Sequence, residues 1–125
     1  RLVCEKLRKR IREPADKRYA FALRIVQVYR HLVEKKKEYV LSKQILRSGT
    51  SIGANVEEAM GGQSRVDFLS KMSIAHKETR ETHYWLLLFR DSDFLTDKEA
   101  GSLLEDCNEL LKLIGSIQKT TKNNL

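Results

Sequence analysis

His31, His76 and His83 are the side chains in this sequence best suited to metal or proton chemistry. His76 and His83 are two helical turns apart, about 10 Å along one face. A metal ion needs ligands at i and i+4 or from facing helices, and no Glu-x-x-His pair occurs. His76 and His83 are therefore read as polar residues of a helix seam or subunit contact. Buried there, they would weaken assembly below about pH 6, because charging a buried imidazole is unfavourable. Asn55 lies beside the apolar line of its helix, where an amide either fixes register or faces water. Glu57-Glu58 and Glu78 with Glu81 are paired acids with no nucleophile, phosphate loop or metal set near them, and read as solvated charges or partners of Lys77 and Arg80. Cys4 and Cys107 are isolated thiols without CxxC or Cys/His spacing, which implies reduced cysteines with Cys107 in a core. No catalytic, metal or cofactor site is expected.

The remaining chemistry is charge. Residues 1–40 carry 13 Lys or Arg against 5 acids, a balance of +8; residues 41–125 carry 11 against 12, a balance of −1, which together give the net +7. The excess sits in an N-terminal arm over residues 1–14, which holds Arg8, Lys9, Arg10 and Arg12, and in the helix after it. Lys17, Arg24, His31 and Lys35 recur there on one helical face. Such a strip attracts phosphates by charge alone, and without a base-reading motif any binding would be weakly specific.

The elements that must position these groups are helical throughout. The 125 residues suit one domain, and 41% hydrophobic with 33% charged content suits helices with one wet face. One proline and 6 glycines are too few for a turn-rich β fold. No apolar run spans a bilayer and no apolar segment follows the basic arm, so a cytoplasmic protein without membrane contact is expected. Ala22, Ile25, Tyr29 and Leu32, widened by Phe21, Val26, Val28 and Val33, predict a helix over about 15–36. Its arc is broader than one bundle face requires. Ile45, Gly49, Ile52, Val56 and Ala59 predict a second over 41–60, whose small residues at 48–54 permit a close backbone approach or, alternatively, a break near Ser48–Thr50. Ser64-Arg65-Val66-Asp67 opens a third over 64–92, with Leu69, Met72, His76, Thr79, His83 and Leu86 as its seam and Phe68, Ala75, Thr82 and Phe89 beside it. Thr96-Asp97-Lys98-Glu99 is a capping box for a fourth over 97–119, and residues 121–125 form a polar tail. Short connections between long helices predict an all-α, antiparallel up-down-up-down four-helix bundle.

The run Leu41-Ser42-Lys43-Gln44-Ile45-Leu46-Arg47-Ser48-Gly49-Thr50-Ser51-Ile52-Gly53-Ala54-Asn55-Val56-Glu57-Glu58-Ala59, then Ser64-Arg65-Val66-Asp67-Phe68, Lys71-Met72-Ser73-Ile74-Ala75 and Tyr84-Trp85-Leu86, resembles the bundle proteins encoded by intervening sequences in bacterial 23S ribosomal RNA genes. The resemblance runs from about Asp16 to Ile117 and implies a homopentamer of antiparallel bundles, with no established biochemical role. It also relates the chain to the accessory bundle of diversity-generating retroelements, a basic pentamer that binds nucleic acid and a reverse transcriptase. By that analogy Lys43, Arg47, Arg65, Lys71, Lys77 and Arg80 join the N-terminal cations as candidate contacts to RNA or DNA; a scaffold docking a partner protein is the alternative. His76 and Thr79 depart from the smaller or apolar residues usual in the family.

Overall fold

The 3.6-residue periodicity is realised as four helices: α1 Leu2–Glu34, α2 Leu41–Met60, α3 Arg65–Asp91 and α4 Asp97–Asn123. The computed structural model describes the backbone of residues 2–123 and the side chains of residues 17–123. Arg8, Lys9, Arg10, Arg12 and Cys4 lie outside the described side chains. α1 runs from Leu2, ahead of the start expected near Ala15. α2 runs unbroken through Ser48-Gly49-Thr50, so the alternative of a break there is not adopted.

Each helix packs on its neighbours in sequence and α1 closes on α4, while the diagonal pairs α1/α3 and α2/α4 stay apart. Cross-helix contacts give the directions. Arg18 meets Glu57 while Ile25 meets Gly49; Arg47 meets Glu81 while Lys71 meets Glu58. Cys107 meets Thr79 while Gln118 meets Ser73, and Lys17 meets Glu109 while Arg24 meets Asp106. In every pair one number rises as the other falls, so neighbours run antiparallel, as an up-down-up-down bundle requires.

Small residues set the closest approaches. At Gly49 the bare Cα lies against Ile25, a completely buried β-branched side chain. Between α2 and α3, the Thr82 Oγ1 lies 2.9 Å from Ser48 Oγ and 2.8 Å from the Glu78 carbonyl, so both buried hydroxyls find partners. The core line of α3 is Met72, Ala75, Thr79, Thr82, Leu86 and Phe89. This corrects the expected seam: Ala75 and Thr82 occupy it because short side chains let α2 approach, whereas His76 and His83 are half-buried beside it, His76 next to Gly115 of α4. Phe94, edge-on to Phe89 at 6.1 Å, and buried Leu95 close one end of the core.

The helix ends obey local rules that only partly show in sequence. Ser64 Oγ accepts from Asp67 N at 3.1 Å, and Thr96 and Glu99 exchange bonds of 3.0 and 3.1 Å. α2 is capped by a residue outside the helix: the Glu38 carboxylate accepts from the backbone N–H of Val40, Leu41 and Ser42, at 3.2, 3.0 and 2.6 Å. Burial acts to raise the pKa of Glu38, but these three donors outweigh it and hold the group below its ordinary 4.5. The charged form is favoured by folding, so the stabilisation is complete above pH 4.5 and lost as pH falls through the lower folded value. Glu38→Ala is expected to lower stability by about 1–2 kcal/mol at pH 7. In urea titrations the gap from the parent should narrow below pH 4; a gap independent of pH would contradict the cap.

Candidate nucleic-acid interface

The cationic face expected on α1 is the face that packs on α4. Lys17 pairs with Glu109 at 2.5 Å, and Arg24 bonds Asp106 at 2.5 Å and Ser102 Oγ at 3.0 Å. His31 contributes to the field that lowers the pKa of Glu99, after the larger effect of the bonds from Thr96. The matching signal was present in α4, where Glu99, Ser102, Asp106 and Glu109 repeat at three- and four-residue steps. The α1 cations and α4 acids therefore form an electrostatic zipper along the closing edge of the bundle.

Other expected phosphate contacts are likewise engaged. Arg47 of α2 bridges Glu78, at 3.1 Å, and Glu81 of α3, and Glu81 also accepts from the Trp85 indole N–H at 3.0 Å. Lys71 pairs with Glu58 at 2.8 Å. These are largely exposed pairs, each worth about 0–1 kcal/mol, whose main effect is to neutralise and align. Arg65 is exposed in the first turn of α3 and has a contact of its own. Lys35, Lys43, Lys77 and Arg80 are exposed and have no ion-pair partner among the described residues.

The acids are thereby sorted. Glu57, Glu58, Glu78, Glu81, Asp106 and Glu109 all turn toward a neighbouring helix and meet a cation there. Sequence reasoning placed the positive excess before residue 40 and missed Lys112, Lys119 and Lys122, which are exposed on α4. Their signal was their spacing, two turns and then one, with no acid between them.

The other candidates are quiet. Asn55 is half-buried and its amide donates to the Ser51 carbonyl at 2.8 Å, within its own helix. His76 borders Gly115, with its Nε2 3.9 Å from where a Cβ would stand. Burial, with the Asp106 charge beside it, pushes the Cys107 thiol up to about 12, so it stays protonated at neutral pH and is no nucleophile. A cleft of about 220 Å³ between α1 and α4 is lined by Arg24, Gln27, His31, Glu99 and apolar residues, but Arg24 and Glu99 are already bonded. Among the described residues no three His, Cys, Asp or Glu side chains gather as a metal site, and no helix is long and apolar enough to cross a membrane.

The fold and these surfaces define a helical-bundle protein whose distinguishing chemistry is ionic pairing between helices. The family model for the 23S rRNA-intervening sequence protein matches residues 14–116, and the chain belongs to that family. It is 51% identical to a protein of unknown function from the S23 ribosomal protein family of Bacteroides thetaiotaomicron, known from a crystal structure. That likeness has a TM-score of 0.84 over 85% of this chain and 98% of the other. No curated protein matches the chain.

Proposed function

We propose that the chain is a non-enzymatic bundle that associates with copies of itself and binds nucleic acid through unpaired cations on its surface. The observation behind this reading is the sorting of charge: six carboxylates of α2, α3 and α4 are engaged between helices, while residues 17–123 carry 18 Lys or Arg against 14 Asp or Glu, a balance of +4. A surface of that kind recruits polyanions without reading sequence. Light scattering with absorbance at 260 and 280 nm on the purified protein tests both parts, giving subunit number and co-purifying nucleic acid. A monomer that shifts no RNA at low salt would end this reading.

Self-association is supported by α1. Ala22, Val26, Tyr29 and Val33 form a second apolar line, half-buried, beside the fully packed one, and Tyr19 and Leu23 continue it at 67% and 49% exposure. Trp85, Leu87 and Leu88, all half-buried, leave the apolar end of α3 similarly uncovered. A second copy of the chain suits such a surface, and five copies is the number the family resemblance suggests. Val26→Asp is expected to yield monomers with unchanged helical circular dichroism. Oligomers of parental mass would instead place the contact elsewhere and favour a scaffold that docks another protein on this flank.

A further inference from the structure

The flanks of α3 and α4 that face outward together differ from the α1 flank in chemistry. On α3 the exposed positions Val66, Ser70, Ser73, Lys77, Arg80 and Tyr84 recur at four- and three-residue steps, so they share one face. On α4, Lys112, Lys119 and Lys122 are exposed, and Asn108 and Gly115 stand near them. The register is fixed by the contacts of Cys107 with Thr79, His76 with Gly115 and Gln118 with Ser73. It sets Lys112 level with Lys77 and Arg80, and carries Lys119 and Lys122 two to three turns along the same groove.

Three features give this groove its meaning. None of the five cations has an ion-pair partner among the described residues. Glu78 and Glu81 turn to Arg47 of α2, and Asp106 and Glu109 turn to Arg24 and Lys17 of α1, so these four acids face away. Glu105, exposed on this side, lies two turns from Lys112 and, by the register of Cys107 with Thr79, level with Glu81 to Tyr84. Between the cations the residues are small or polar (Ser73, Gly115, Gln118), which suits a hydrated polyanion better than an apolar helix. From Lys112 to Lys122 the strip runs about 15 Å at 1.5 Å per residue. That is about four phosphates of a stacked strand at 3.4 Å each. One turn beyond Arg80, Tyr84 offers an exposed ring on which a base can stack.

We propose that the groove between α3 and α4 is a track for a single nucleic-acid strand, with Lys77, Arg80, Lys112, Lys119 and Lys122 on its phosphates and Tyr84 against a base. This rests on the nucleic-acid reading above and assigns it a surface. Recognition is of the phosphodiester backbone, so oligo-U and oligo-dT of equal length bind alike.

The test is fluorescence anisotropy of labelled 20-nucleotide oligo-U and oligo-dT titrated with the full chain from 50 to 300 mM KCl. Five phosphate contacts give a slope of log K on log salt of about −3.5 for a single strand. Lys112→Ala/Lys119→Ala should bring the slope to about −2 and weaken binding about tenfold at 100 mM KCl. Tyr84→Ala should weaken binding at least about fivefold with the slope unchanged. Gln44→Ala, an exposed position on α2, should change neither. All are exposed positions, and circular dichroism checks that each variant is folded. If the parent binds but the groove variants match it, the groove assignment fails and the broader reading stands. If the parent binds neither oligomer, both fail, and if polyglutamate competes as well as RNA the surface is a dock for acidic protein.

Discussion

Gly49→Ala is expected to destabilise the bundle by about 2 kcal/mol, while Gly53→Ala, one helical turn away, leaves stability equal or slightly higher. An alanine Cβ at position 49 would stand 2.7 and 2.8 Å from Cγ2 and Cγ1 of Ile25, and 3.1 Å from its Cβ. Those atoms are the root of a fully buried β-branched side chain with one strongly preferred rotamer in a helix, so they cannot swing aside. α1 and α2 must separate, and this overpacking outweighs the gain of about 1 kcal/mol in helix propensity. At position 53 the new Cβ would meet only the stem of Arg18, at 3.6–3.9 Å, an ordinary contact. Urea denaturation of the two single variants, with Ile25→Ala and the Ile25→Ala/Gly49→Ala pair, completes the cycle. In the Ile25→Ala background the penalty of Gly49→Ala should largely vanish. Additive losses would show that the contact does not set the helix spacing.

A comparable loss, about 2 kcal/mol, is expected for Glu57→Ala, against little or none for Arg18→Met. Arg18 is 3% exposed, its Nη2 bonds the Glu57 carboxylate and lies 3.8 Å from Met60 Sδ, and its Nη1 is buried without a partner. Removing Glu57 strands a desolvated guanidinium, which in fully buried pairs is worth about 3–5 kcal/mol. The carboxylate here is 69% exposed, so water can replace part of it and the effect is smaller. Removing Arg18 instead frees Glu57 to water and eliminates the unsatisfied Nη1. Methionine keeps the stem that packs over Gly53. Thermal melts of the two variants decide the matter, and equal losses would refute the asymmetry.

Much of the fold was legible because periodicity and capping are local. Thr96 with Glu99 and Ser64 with Asp67 place two helix starts from four-residue strings. The seam of α3 was harder: two overlapping heptad lines share Met72, Thr79 and Leu86, and only the closeness of α2 at Ser48 decides for Ala75 and Thr82 over His76 and His83. Glycine marks the end of α2 but not the ends of α1 and α3. Gly61 follows α2 with φ −84, needing no glycine, while the left-handed residues that end α1 and α3 are Lys37, at φ 56, and Asp93, at φ 65. In both, the backbone N–H of a following residue reaches back six positions, Glu38 to Leu32 and Leu95 to Phe89, which imposes the turn without a glycine. The candidate site was least legible, because whether a lysine is spent or spare depends on the helix opposite. Arg24 and Arg47 read as phosphate contacts until Asp106 and Glu78 are found against them.

The antiparallel register has a consequence for polarity. Arg18 opposite Glu57 and Lys17 opposite Glu109 put the entry to the packed part of α1, the Gly61-Gly62 turn and the distal part of α4 at one end. The Lys35-Lys36-Lys37 connection and the Phe94-Leu95 loop lie at the other. In a ring of copies whose axis follows the bundle, rotation repeats that difference around both rims. One rim would then gather Lys119 and Lys122 from every subunit, and the opposite rim every lysine triplet. Such an assembly has a front and a back.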